Sequence, residues 1–124
     1  MHFTLMIYSE DGAYERLSEE AQAEVMRGHQ TLQSALGARG PFATAKLMPS
    51  SHAVTLRPLS EMGQDPLTMD GPFADTKERF LGFYAAEFDD IDDAIRHASY
   101  IASPIARIEV RPTSWVGGVL ATDP

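Results

Sequence analysis

The chain has 124 residues, 44% of them hydrophobic and 23% charged, which is the composition of one compact domain with a modest core. A formal net charge of -8 lacks the basic footprint of a nucleic-acid binder, and the absence of cysteine excludes disulfides and thiolate chemistry. No apolar run approaches the ~18 residues of a membrane span, and the N-terminus has no basic signal-peptide region. A soluble cytoplasmic protein with no direct nucleic-acid or membrane partner is therefore expected.

Residues 3 to 8 alternate, with Phe3, Leu5 and Ile7 on one face and Thr4, Met6 and Tyr8 on the other. Both faces are largely apolar, which predicts a strand covered on two sides. Ser18 is placed to cap a helix whose first turn carries Glu19 and Glu20. Ala21, Val25, Leu32 and Leu36 recur on one face of that helix, His29 and Gly28 lie on the same face, and Gly37 is the expected stop. A glycine at position 28 costs about 1 kcal/mol in a helix, so a close neighbour is expected there.

"ATAKLM" and "HAVTLRP" read as two strands joined by a turn at Pro49-Ser50-Ser51, and residues 67 to 69 as a short strand continuing a hairpin. "FLGFYAAEF", residues 80 to 88, is apolar on both faces and reads as a central strand. Asp89 or Asp90 caps a second helix, expected over 91 to 102. Ile91, Ala94, Ile95, Ala98 and Ala102 form its apolar stripe, and His97 lies on the solvated side. The last strand is "ARIEVRP". The order β-α-β-β-(short β)-β-α-β predicts an α+β, ferredoxin-like plait with both helices on one face of a mainly antiparallel sheet. The helix-free face would carry Met6, Tyr8, Arg57, Arg107, Glu109 and Arg111. Such a half-apolar face is suited to a second copy, so a homodimer is expected. Arg57, Glu109 and Arg111 read as an interface ion-pair network, and Lys77 with Glu78 as a solvated or loop-ordering pair. Residues 113 to 124 form a C-terminal tail that Trp115 would anchor.

"DGPFADTKERFLGFY" opens on a turn signal at Asp70-Gly71-Pro72-Phe73. There Asp70 can cap the turn, Gly71 permits positive φ, and Phe73 can pin the loop to the core. Together with "FTLMIY", His29 on its helix and the closing "IEVRP", this run resembles the YCII-related family, in its DGPF-domain branch, over residues 1 to 112. The resemblance implies a dimeric ferredoxin-like plait of the α/β barrel type. It also implies a His and an Asp in a shared pocket, positions that fall here on His29 and Asp70, and an association with extracytoplasmic-function sigma factors. The chain departs from the family pattern in having the single Gly82 before the aromatic of its strand, and in the length of its tail.

A carboxylate beside an imidazole fixes its tautomer and supports its charged form, so a His29–Asp70 dyad would serve general acid–base catalysis. There is no clustered ligand spacing for a metal, no phosphate loop, no nucleophile elbow and no cofactor fingerprint. Two readings stand at this point. One is a small-molecule enzyme of lyase or isomerase type working through His29 and Asp70. The other is a non-catalytic ligand-binding or accessory protein linked to sigma-factor regulation.

Overall fold

The computed structural model describes residues 1–121. Its first strand, β1 (His2–Glu10), follows the alternation in the sequence: Phe3, Leu5, Ile7 and Ser9 are buried on one face, and Thr4, Met6 and Tyr8 are half-buried on the other. Helix α1 (Glu19–Arg39) begins where the Ser18 side chain accepts the Ala21 N–H at 3.1 Å. It runs through Gly37, the expected stop, and ends at Gly40 instead. Gly37 is exposed and accommodates helical backbone, whereas Gly40 has a φ of 152° that disfavours other residues, and its N–H closes on the Leu36 carbonyl at 3.2 Å.

The remaining elements are β2 (Ala43–Lys46), β3 (Val54–Leu56), β4 (Thr68–Asp70), β5 (Glu78–Glu87), α2 (Ile91–Ala98) and β6 (Arg107–Pro112). Four strands form one antiparallel sheet in the order β2-β5-β1-β6, the ferredoxin-like α+β plait expected from the pattern. The core lies between this sheet and the helices: Phe3, Leu5 and Ile7 from β1, Tyr84 and Ala86 from β5, Leu32 and Leu36 from α1, Ala94 and Ala98 from α2. Where β5 passes β1 the register slips, Ile7 facing Gly82 and Tyr8 facing Phe80, so Leu81 is an extra, bulged residue.

Three expectations are corrected. The strands at 43–48 and 52–58 do not pair with each other. β2 joins the edge of the main sheet, a 3-10 turn at Ser50–His52 redirects the chain, and β3 pairs only with β4. Arg57, whose N–H bonds the Leu67 carbonyl at 2.7 Å, therefore belongs to this separate hairpin and not to the helix-free sheet face.

Helix α2 is shorter and rotated. It gives way to a 3-10 turn at Ser99–Ile101, and Ile91 and Ile95 are exposed while Asp93, Ala94 and Ala98 are buried. Arg39 explains the rotation, because its guanidinium reaches Asp93 at 2.8 Å and Asp89 at 3.3 Å and lies over the Phe88 ring. His97 consequently turns inward against Phe88, with Nδ1 2.8 Å from the Asp93 carbonyl.

The tail is held by Leu120, which is buried, and not by Trp115, which is 81% exposed. Its expected last residues, 122–124, lie outside the described ones. The close neighbour expected at Gly28 is the Tyr100 carbonyl, into which a β-carbon at that position would run. Among the described residues no helix is long and apolar enough to cross a membrane.

Candidate functional site

Both α1 and β5 are needed to build the site. His29 and Gln33 are one turn apart on α1, so their side chains descend together onto the sheet. Tyr84 rises to meet them from the helix-facing side of β5. Its hydroxyl lies 2.8 Å from His29 Nδ1 and accepts from Gln33 Nε2 at 3.1 Å, and its ring stacks on the imidazole with centroids 5.8 Å apart. The phenol oxygen thus accepts from Gln33 and shares a second hydrogen bond with His29 Nδ1, in which either ring nitrogen or phenol can be the donor. Nε2 is the ring nitrogen with no hydrogen-bond partner among the described residues. Burial, together with the positive charge of Lys46, pushes the His29 pKa below its ordinary value, so the ring is neutral at physiological pH.

These three residues border a cavity of about 380 Å³, within the range of small-molecule sites. Ile7, Val25, Leu81 and Ile101 supply its apolar walls, and Lys46 reaches it from the edge strand β2. Lys46 stands opposite Gly82, where a β-carbon would strike the Ala45 carbonyl. The single glycine of β5 thus lets β2 close against the sheet and brings Lys46 to the cavity. No Asp or Glu lines this cavity among the described residues.

Asp70 is elsewhere. It ends β4, opposite Val54, and its side chain is exposed. No hydrogen bond or ion pair joins it to His29 among the described residues, and the ring's partner is Tyr84. The reason is topological: the hairpin bearing Asp70 is separate from the main sheet that carries the His29 site.

The turn itself is a corner locked to β3. Gly71 has a φ of 97°, its N–H bonds the Ala53 carbonyl at 2.7 Å, and its carbonyl accepts from the Thr55 hydroxyl at 2.7 Å. Phe73 does not pin the loop to the core, being 88% exposed.

The rest of the run does form a wall. Pro72, Ala74 and Thr76 border a second cavity of about 480 Å³, across from Tyr8 and Phe80. Its arginine, Arg79, is occupied: it binds the Ala74 carbonyl, Asp75 at 3.3 Å and Asp11 at 3.9 Å. Lys77 and Glu78 act separately, on Glu10 at 3.3 Å and Arg107 at 3.2 Å. Among the described residues no three His, Asp or Glu side chains gather to hold a metal ion.

Tyr84, Gln33 and Lys46 were not singled out from the sequence. Tyr84 reads as core within an apolar strand, but the spacing of His29 and Gln33 and the polar Thr44 and Lys46 on one side of "ATAK" mark a shared face.

An α+β plait of this topology, with a helix-borne histidine over the sheet, defines the class of small ferredoxin-like domains. Within that class, residues 1–112 match the YCII-related domain, and the chain belongs to that family. It is also 34% identical over 118 residues to an uncharacterised protein of Rhizobium meliloti (strain 1021), an alignment covering 90% of this chain and 91% of the relative.

Proposed function

We propose that the chain is a small-molecule enzyme whose substrate enters the cavity above Tyr84 and exchanges a proton with His29, as a lyase or isomerase step requires. One observation carries this reading: His29, hydrogen-bonded to a Tyr84 hydroxyl that Gln33 also holds, faces a cavity of ligand size. An imidazole held through Nδ1 leaves Nε2 for general acid–base work on a bound molecule. Asp70, the other residue expected at the site, has no part in this reading, since among the described residues no hydrogen bond or ion pair joins it to His29. The "DGPF" run nonetheless supports a place in the DGPF branch of the family, and the lack of cysteine suits a cytoplasmic setting.

A homodimer through the helix-free sheet face is part of the same proposal. Met6, Tyr8, Phe80 and Phe83 share that face, the Tyr8 and Phe80 rings 5.7 Å apart, and such a patch favours burial. A second reading, an accessory protein of a sigma-factor system, is supported by the exposed apolar side chains of the β3–β4 hairpin, which suit a protein partner.

The test is an amide-resolved NMR screen of a small-molecule library against the full chain. Binders should shift Val25, Thr44, Lys46 and Gly82 and lose about tenfold in affinity in Tyr84→Phe. Binders confined to the hairpin and the second cavity would contradict the assignment of the site.

A further inference from the structure

We propose that the His29 cavity selects small organic anions, a carboxylate on an apolar or aromatic body, with Lys46 holding the carboxylate and His29 Nε2 hydrogen-bonding a second polar group of the same molecule. This inference rests on the cavity being the ligand site and adds the chemical class of the ligand.

The polar side chains of the lining decide the class. Ser9 donates to the Ile105 carbonyl at 2.6 Å, Thr44 to the Phe83 carbonyl at 2.9 Å, and Ser103 accepts the Ile105 N–H at 3.3 Å. Ser9 and Thr44 thus spend their protons on the chain, and Ser103 keeps its O–H as a further donor. His29 Nδ1 and the Tyr84 hydroxyl satisfy each other. What remains for a ligand is His29 Nε2 and the Lys46 ammonium, the latter a donor only, with the Ser103 and Tyr14 hydroxyls and the Gln33 carbonyl beside them. A molecule rich in acceptors fits this set.

Charge points the same way. The chain has 18 acidic and 10 basic side chains, yet this lining carries a lysine and a histidine and no carboxylate. Lys46 has no ion-pair partner among the described residues, and its ammonium sits 5.4 Å from the centre of the Tyr14 ring. The other cavities differ. Arg79 in the second is bound by Asp11 and Asp75, and a cavity of about 420 Å³ at the far end of β1 has Arg16 on Glu10 and Arg107 on Glu78. Their cations are already neutralised by the chain's own carboxylates. Of these three cavities among the described residues, the one around His29 sets an unneutralised cation against apolar walls, and that combination binds an anion with an apolar body.

The experiment uses benzoate and benzamide, nearly isosteric and differing in charge, titrated into the full chain with amide shifts at Val25, Thr44 and Gly82 as the readout. Benzoate should bind about three- to tenfold more tightly than benzamide, a range set by an ammonium that is largely solvent-exposed. Lys46→Met should remove the preference while benzamide binding is kept, and Lys46→Arg should restore it. Equal binding of both probes at the cavity, unchanged in Lys46→Met, would overturn the anion assignment and leave the site standing. No shift at the cavity with either probe, in a chain whose spectrum is otherwise intact, would overturn both.

Discussion

The main plait and the β3–β4 hairpin use the same kinds of side chain to opposite ends. In the plait, Phe3, Leu5, Leu32 and Tyr84 are all but removed from solvent. In the hairpin, Val54, Leu56 and Leu67 remain 57%, 58% and 69% exposed, and β3 and β4 bond only to each other. A two-stranded ribbon has no second layer of its own, so its apolar residues contribute little to the stability of one chain. The difference separates two roles. The plait brings His29, Gln33 and Tyr84 together within one chain, whereas the hairpin, with Asp70 at its end, leaves its apolar side chains exposed.

Mutation should make this contrast sharp. Leu5→Ala removes a fully buried side chain and should cost about 2–5 kcal/mol in chemical denaturation. The next effect in size lies where the helices meet. Burial acts to raise the Asp93 carboxyl pKa, but the Asp89 N–H, the hydrogen bond and charge of Arg39, and His97 together hold it below the ordinary value. A depressed carboxyl pKa stabilises the fold above the unfolded value of 3.8, and that contribution is lost as pH falls through the folded value. Asp93→Asn should therefore cost about 1–3 kcal/mol at pH 7, discounted because Arg39 is about one-third exposed, and the gap to the parent should close in acid. A gap that stays constant down to pH 2 would show that the charge is not responsible.

Gly28→Ala should destabilise by about 1–3 kcal/mol despite alanine's higher helix propensity, because its β-carbon meets the Tyr100 carbonyl. An unchanged or raised Tm would mean that the turn at Ser99–Ile101 yields readily. The smallest change is expected in the hairpin, where Val54→Ser with Leu56→Ser should alter stability by less than about 0.5 kcal/mol. A loss comparable to that of Leu5→Ala would erase the distinction between the two regions.

Much of the plait is legible in the residues. The alternation of β1, the Ser18 cap and the two-sided apolar run of β5 each arise from local chemistry that tertiary contacts did not override. Pairing was harder to read, because "ATAK" and "AVTL" are both credible strands and only the sheet edge beside Gly82 decides that one joins it. The orientation of α2 was hidden for a related reason. A stripe of Ile and Ala looks inward by hydropathy, but an arginine arriving from α1 draws Asp93 and His97 to the inside. At the site, His29 was visible as a polar residue on an apolar helix face. Its partner was not, since a tyrosine amid core aromatics carries no sign in the sequence that its hydroxyl faces a histidine from another element.

The central claim is that the state of His29 is set by Tyr84 and Lys46, and not by Asp70. The direct measurement is an NMR pH titration of the His29 ring in the parent and in Tyr84→Phe, Lys46→Met and Asp70→Asn. The parent pKa should lie below 6.5, the ordinary value, because burial and the Lys46 charge both disfavour the imidazolium. Lys46→Met should raise it by removing a like charge, and Tyr84→Phe should move it by removing the hydrogen-bond partner of Nδ1. Asp70→Asn should leave it unmoved. A His29 pKa that falls in Asp70→Asn and stays fixed in the other two variants would contradict the account and return the acid–base role to a His29–Asp70 pair.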